Sequence, residues 1–320
     1  MKKTSFDIKK IVASLFLSKQ KIWPQFYVKN RENGHERIAI GSVYSSNGYI
    51  DLRAYDEEIN VYCIESFSQE PSSSPLWSNS PKCLYFIPKY EIIQNDEKTV
   101  LNMYSLFGDS TCIGLNFDPD ENLLENATLV LQDRSDTPSS DLWMLSVQRA
   151  LETIKDQNLD KVVLARKTTF ICNSKISALE LLEHLKQTQK NTTVFLFSTC
   201  SSRAFLGSSP EKLYKRSLDT LSTEALAGTI PRGENEEEDL LFQEKLRSSE
   251  KLLSEVSFVE DFLKQKLQLI ASNIDIEPSF TIKQTVSVQH LYKKIRCTLP
   301  SNFSDDTLIR LLHPTPALSG

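Results

Sequence analysis

The chain has 320 residues, of which 40% are hydrophobic and 25% are charged, and its net charge at pH 7 is −5. These values are typical of a globular protein with one or two domains and give no electrostatic reason to expect a nucleic-acid partner. No apolar run is long enough to cross a bilayer, so we expect no membrane partner. The six cysteines include no CxxC pair, which favours reduced thiols in a cytoplasmic protein over a disulfide framework or a zinc site.

The N-terminus combines lysines with a short apolar run, a pattern that signal peptides share. Lysines lie on both sides of this run and no small-residue cleavage site follows it, which favours an amphipathic first helix instead. The apolar residues of that helix stand at helical spacing: Ile8, Ile11, Val12 and Leu15.

The next segment predicts strands and loops. Residues 25–49 predict a β-hairpin, because two runs rich in β-branched and aromatic residues flank a polar loop with Gly34 as its turn residue. Cys83–Ile87 is a short apolar run and predicts a buried strand. Surface loops are predicted over residues 69–81, which are rich in Ser and Pro, and over the acidic residues 118–126.

The middle of the chain predicts helices separated by strands. Asp141 can cap a helix that runs to Asn158 and carries an apolar stripe: Trp143, Val147, Ala150, Leu151 and Ile154. Many β-branched residues predict a strand over 161–171. Ser177 and Glu180 have the spacing of a capping box, which predicts a helix to about residue 190, followed by a strand over 192–199.

The last third begins with two glycine-bearing turns within residues 205–233, each flanked by apolar residues. The acidic run 234–239 suits the first turn of a helix, because the helix dipole favours negative charge there. This helix is predicted to continue to Ile270 and to carry one apolar stripe: Leu252, Val256, Val259, Leu263, Leu267 and Ile270. Residues 281–295 predict a strand with His290 on its apolar face.

These elements predict an α+β fold with large antiparallel sheets and helices packed outside them, because strands and helices do not alternate regularly. Neither GxGxxG nor GxxxxGK[ST] is present, so nucleotide-binding folds have no support. We expect residues 1–140 and 141–320 to be two parts of one structural domain.

Four residues stand where a catalytic or metal-binding group would fit: Lys161, Glu211, Glu255 and His290. Glu255 interrupts the apolar face of the long helix, where a carboxylate must be paired, protonated or bound to a metal. The other three also have structural explanations, as a strand-end lysine, a turn glutamate and a core histidine. None of the four decides the function alone.

Five segments extend the interpretation, in this order along the chain: KVVLAR (161–166), FLGSSPE (205–211), ALAGTIPRG (225–233), VQHL (288–291) and LHPTPALSG (312–320). Together they resemble the chorismate-utilising enzymes, most closely isochorismate synthases of the menaquinone type. The resemblance is specific from about residue 143 onward, so that 141–320 resembles the chorismate-binding region of that family. It is weaker over the N-terminal part.

The resemblance implies the Mg²⁺-dependent conversion of chorismate to isochorismate, in which water adds to the ring and hydroxide leaves. It implies that Lys161 is the general base for the water and Glu211 the general acid for the departing hydroxyl. Glu255 is implied as a Mg²⁺ ligand. The residues implied to lie against the substrate are Gly228, Thr229, His290 and Ala317.

The chemistry of the reaction agrees with these roles, because water is a poor nucleophile and hydroxide a poor leaving group. An acid and a base typically contribute 10²–10⁴-fold each. The pKa of a free lysine, about 10.4, must fall by about three units for Lys161 to act as a base near neutral pH, which corresponds to roughly 4 kcal/mol. Burial in an apolar setting is the expected cause. Glu211 must carry a proton to act as the acid.

The sequence also departs from the family. Ammonia-using relatives typically have glutamine where Lys161 stands, so the lysine favours water, but it leaves a salicylate-type lyase open. Val256 stands where the family usually has histidine after the metal-binding glutamate. The relatives continue beyond the HPTPA motif with further substrate contacts and a second metal-binding glutamate. The resemblance therefore implies a C-terminally truncated chain with an incomplete metal site, and a non-catalytic remnant stays open.

Overall fold

The structure is a computed structural model that describes residues 1–51, 58–67, 81–106, 114–117 and 129–318. The loops predicted over 69–81 and 118–126 lie largely outside these residues. The elements in chain order are β1 (Lys2–Asp7), α1 (Ala13–Lys19), β2 (Gln25–Lys29), β3 (Glu36–Ile40), β4 (Tyr44–Ser46), β5 (Tyr62–Glu65), β6 (Cys83–Ile87), β7 (Tyr90–Gln94), β8 (Thr99–Ser105), β9 (Leu131–Thr137), α2 (Ser140–Lys155), β10 (Lys167–Cys172), α3 (Ala178–Thr188), β11 (Thr193–Cys200), β12 (Arg203–Ser209), β13 (Lys215–Ser217), β14 (Thr220–Pro231), α4 (Glu236–Ser248), α5 (Glu250–Gln268), β15 (Ser272–Ile276), β16 (Thr281–Gln284), β17 (Val288–Thr298) and α6 (Asp305–Leu312).

The chain divides into two compact units, and each is built from two separate stretches of sequence. The first contains Met1–Ala127 and Ser177–Pro210, and the second contains Thr128–Ile176 and Glu211–Gly320. All of the strand pairs described within the units are antiparallel. The predicted α+β fold with large antiparallel sheets is therefore confirmed.

The first unit is built on a seven-stranded sheet in the order β1-β8-β7-β3-β2-β11-β12. The predicted hairpin forms its centre, where β2 and β3 pair directly and Gly34 takes a positive φ of 68° in the connecting loop. Helices α1 and α3 pack on this sheet through buried apolar residues such as Phe16, Leu17 and Leu182. A smaller sheet in the same unit has the order β4-β6-β5, with the predicted strand Cys83–Ile87 in its middle.

The prediction for the N-terminus is only partly confirmed. Helix α1 begins at Ala13, and Ile8, Ile11 and Val12 precede it. Residues 2–7 instead form β1, which pairs with β8. Helical spacing of apolar residues therefore overestimated the helix, because pairing with a strand almost a hundred residues away fixes the conformation of its first part.

The second unit is built on a five-stranded sheet in which β14 and β17 are the long central strands. Helix α5 contributes Val256, Val259, Leu263 and Leu267 to the core, and each of them is fully buried. The sequence predicted one long helix from the acidic run to Ile270, but Ser249 ends α4 and caps α5, where its side chain accepts a hydrogen bond from the Leu252 amide. The apolar periodicity does not reveal this break between α4 and α5, because helical spacing of apolar residues is present on both sides of Ser249.

Two other elements differ from the sequence expectation. The strand predicted over 161–171 begins only at Lys167, where β10 starts, and residues 161–166 have no strand partner within the described residues. The strand predicted over 281–295 is interrupted at residues 285–287 between β16 and β17. Helix α2 forms as predicted, yet it buries none of its residues, and Leu151 is 63% exposed.

Candidate active site

A β-bulge at Gly228 interrupts the long pair of strands in the second unit. The register between β14 and β17 shifts between Ala227 and Thr229, which leaves Gly228 without a cross-strand partner. Its φ is +66°, and a Cβ atom added there would lie 2.7 Å from the carbonyl oxygen of Leu252. A side chain would both strain the backbone and collide with α5, so this position requires glycine.

Thr229 and His290 face each other directly after the bulge. The hydroxyl of Thr229 and Nδ1 of His290 share a hydrogen bond of 2.9 Å. Burial, together with the positive charge of Lys283, holds the pKa of His290 below its usual value, so the imidazole is neutral near pH 7. Its Nε2 is buried without a hydrogen-bond partner. Such an atom costs free energy unless a ligand or water satisfies it.

Lys161 is held by the turn that follows α6. Its ammonium group donates a hydrogen bond to the carbonyl oxygen of Pro316, 155 residues further along the chain. Burial lowers the pKa of Lys161, whereas the charges of Glu255 and Glu211 act in the opposite direction. The structure therefore places these three side chains in one electrostatic neighbourhood and gives the lysine the direction of shift that a general base needs.

The same turn also contacts Glu211. The hydroxyl of Thr315 donates a hydrogen bond to Oε1 of Glu211 at 3.4 Å, and it accepts one from the Ala317 amide at 3.4 Å. Thr315 is only 6% exposed, so its hydroxyl depends on these partners. Residues 313–317 thus hold both Lys161 and Glu211, although the sequence analysis assigned no role to Thr315.

Glu224 is a buried carboxylate that the sequence analysis missed. It is 2% exposed and lies on β14, where its Oε1 accepts a hydrogen bond of 2.9 Å from the Lys212 amide. The ammonium groups of Lys212 and Lys283 lie 4.0 and 3.9 Å from its two oxygens. Because Lys212 follows Glu211 directly, Glu224 fixes the backbone that carries this candidate acid. The available signal was one ionisable residue in a strand whose other side chains are all uncharged.

Glu255 lies half-buried on α5. Within the part of the chain that the structure describes, no hydrogen bond or salt bridge occupies its carboxylate, and no group of three metal-ligating side chains forms around it. Its carboxylate oxygens are the ligand type that Mg²⁺ prefers, and Mg²⁺ commonly binds through one or two carboxylates together with the substrate. Glu255 therefore fits the role of a single protein ligand.

Arg232 lies just after β14 and has internal partners. It forms two hydrogen bonds of 2.9 Å from Nε to the carboxylate of Asp239 and donates from Nη1 to the Thr285 carbonyl at 2.9 Å. The Gly233 amide donates to the same carboxylate at 2.8 Å. These contacts fix the end of β14 against the start of α4, which is a structural role.

Comparisons with known proteins identify the family of this chain. Residues 50–320 match the model of the chorismate binding enzyme family, so the chain belongs to that family. In the described residues we find no helix with the length and apolar character that a membrane crossing requires.

Similar proteins are named isochorismate synthases. Isochorismate synthase MenF of Haemophilus influenzae is 29% identical over 98% of this chain, which spans 72% of that protein. The chloroplastic isochorismate synthase of Catharanthus roseus is 30% identical over 82% of this chain, which spans 48% of that protein. The solved structure of MenF, the menaquinone-specific isochorismate synthase of Escherichia coli, has a TM-score of 0.83 and 26% identity, and the match covers 100% of this chain and 76% of that one.

Proposed function

We propose that this protein is an isochorismate synthase that converts chorismate to isochorismate. One observation carries the proposal beyond family membership. A half-buried lysine with a lowered pKa, Lys161, and a glutamate, Glu211, are both held by the same turn within one compact unit. A base and an acid positioned together are what the exchange of a ring hydroxyl for water requires.

Lys161 acts as the general base in this proposal. Burial favours its neutral amine, which takes a proton from the attacking water. The carbonyl of Pro316 accepts a hydrogen bond from one N–H of Lys161 and so orients the amine. The lone pair of the amine nitrogen remains available to accept the proton of the water. Glu211 protonates the departing hydroxyl group, and the Thr315 hydroxyl orients its carboxyl group.

Chorismate carries two carboxylates, and the bulge at Gly228 offers contacts for one of them. Gly228 is the residue that has no cross-strand partner in the register of β14 and β17. Thr229 and His290 lie beside it, and Nε2 of His290 lacks a partner that a substrate oxygen would supply. We assign Ala317 to the substrate contacts as well, because it belongs to the turn that holds Lys161 and Glu211.

Glu255 would hold Mg²⁺, for which its carboxylate provides a suitable oxygen ligand. When bound, the cation supplies positive charge that offsets the carboxylates of chorismate. Glu255 has a second effect of its own, because its negative charge opposes the lowering of the pKa of Lys161. Any cation that Glu255 holds would weaken this opposition and favour the neutral lysine.

We further propose that the enzyme is of the menaquinone type and works in the cytoplasm. The first point is supported by the match to the menaquinone-specific enzyme at a TM-score of 0.83. The second is supported by the free state of all five cysteines in the described residues, because structural disulfides are typical of oxidising compartments.

The test is turnover of chorismate by the purified full chain, with and without Mg²⁺, with products separated by chromatography. The proposal expects isochorismate, formed only when Mg²⁺ is present. Salicylate with pyruvate would instead identify a lyase. Folded protein that forms no product from chorismate at any Mg²⁺ concentration would identify a non-catalytic member of the family.

A further inference from the structure

A second group of reactive side chains lies in the first unit, on neighbouring strands of its smaller sheet. In the antiparallel pairing of β5 with β6, Cys63 stands opposite Tyr85 and Glu65 stands opposite Cys83. Side chains of paired residues share a face, and residues two apart on one strand share it too. These four side chains therefore cluster on one face, although the two cysteines are 20 residues apart in sequence.

Three donors of this cluster converge on a single oxygen atom. Oε1 of Glu65 accepts from Sγ of Cys63 at 3.9 Å, from Sγ of Cys83 at 3.5 Å and from the Tyr85 hydroxyl at 2.5 Å. One ligand atom each from Cys63, Glu65 and Cys83 lies within 4.8 Å of the other two, and no other such metal-ligating group occurs within the described residues.

These distances suit a tetrahedral metal centre. Thiolates bound to zinc at about 2.3 Å stand about 3.7 Å apart in tetrahedral geometry. The separations between the ligand atoms of the cluster would therefore have to shorten by about 1 Å at most. Rotation of the side chains can supply this change. Thiolate ligands select zinc-like cations and exclude Mg²⁺ and Ca²⁺, which require oxygen donors.

Cysteine binds a metal as its thiolate, so a cation held by both Cys63 and Cys83 must displace two protons. Cys63 is exposed and gives a cation access from solvent.

We propose that Cys63, Cys83 and Glu65 form a binding site for one thiophilic divalent cation of the zinc type, with water in the fourth position. The Tyr85 hydroxyl holds the carboxylate as an outer partner, as is usual around metal ligands. Binding releases two thiol protons and transfers no electrons. The bound cation would link β5, at the edge of its sheet, to the central strand β6.

Titration of the reduced full chain with Co²⁺ tests the site, because thiolate ligation produces a charge-transfer absorption band. The expected result is one equivalent of Co²⁺ with this band, displaced by Zn²⁺. Cys63→Ser and Cys83→Ser should each abolish the band, and Glu65→Gln should weaken binding. Cys200→Ser is the matched control and should leave the titration unchanged, because Cys200 pairs with Ser202 rather than a carboxylate.

A second measurement needs no variant and so does not depend on variant folding. Alkylation of the wild-type thiols is followed by mass spectrometry with and without Zn²⁺. Zn²⁺ should slow labelling of Cys63 and Cys83 at least tenfold and leave Cys200 unaffected. Absence of the Co²⁺ band together with absence of protection would overturn the proposal. A Cys63–Cys83 disulfide whose reduced form takes up no metal would overturn it too, and would identify a redox pair.

Discussion

The bulge at Gly228 gives the sharpest structural prediction, because adding one Cβ atom there would cause both backbone strain and a steric collision. Alanine there would adopt a φ of +66°, which costs about 1–2 kcal/mol, and its Cβ would lie 2.7 Å from the Leu252 carbonyl oxygen. Relief of such overpacking costs about 1–3 kcal/mol. Gly228→Ala should therefore lower the free energy of unfolding by about 2–5 kcal/mol, measured with guanidinium chloride.

The same substitution should weaken substrate binding. If the bulge moves to relieve the collision, the Gly228 amide loses its place against a substrate carboxylate. A hydrogen bond to a charged group contributes about 1.5–3 kcal/mol, so the KM for chorismate should rise about 10- to 150-fold. Steady-state kinetics at saturating Mg²⁺ measure this value.

Gly34→Ala is the matched control. Gly34 has a nearly identical φ of +68°, but a Cβ added there would have no atom within 4 Å. This variant should lose only about 1–2 kcal/mol of stability and keep its KM. Equal destabilisation by the two substitutions would show that the Leu252 carbonyl does not restrict this position, and an unchanged KM in Gly228→Ala would show that the bulge does not contact the substrate.

Four further predictions concern the candidate acid and base. Lys161→Met should reduce kcat by about 10²–10⁴-fold with little change in the unfolding midpoint; turnover near the wild-type rate would remove Lys161 as the base. In a pH profile, kcat/KM should rise as Lys161 loses its proton, at a pH below the usual lysine pKa. Glu255→Gln, assayed at saturating Mg²⁺, should move this rise to lower pH, because the charge of Glu255 raises the pKa of Lys161. A shift to higher pH would contradict this role of Glu255. Thr315→Val keeps the side-chain shape but loses the hydroxyl, so kcat should fall about 3- to 10-fold with KM unchanged, in line with a hydrogen bond of about 1 kcal/mol. Glu224→Gln should destabilise the fold by about 1–3 kcal/mol and lower kcat, because two lysines lose their buried counter-charge; unchanged stability would show that the charge is dispensable.

Local signals in the sequence predicted those elements that local chemistry determines. Ser177 accepts a hydrogen bond from the Glu180 amide, as the capping-box spacing indicated. The hairpin with Gly34 and the strand Cys83–Ile87 also form where expected. In each case the deciding residues lie within a few positions of one another, so a pattern in one short window contains the information.

Elements that depend on distant partners were predicted less well. A strand requires a neighbour, and residues 161–166 have none within the described residues despite their β-branched composition. The break at Ser249 has a cap of its own, but the apolar stripe on either side concealed it.

The candidate site shows the same limit. The resemblance singled out Lys161 and Glu211, but only the folded chain shows that Pro316 and Thr315 hold them. Glu224 stayed unnoticed because its role depends on the register that brings it to the Lys212 amide. The cluster of Cys63 with Cys83 likewise arises from strand pairing, since the sequence has no CxxC pair to indicate it.

The central claim is that this chain adds water to chorismate with Lys161 as the base. The most direct test is mass spectrometry of isochorismate formed by the full chain in ¹⁸O-labelled water. With Lys161 as the base, each product molecule from the wild type should carry one labelled oxygen, and Lys161→Met should form almost no product. Unlabelled isochorismate, or labelled isochorismate formed at an unchanged rate by the variant, would contradict it.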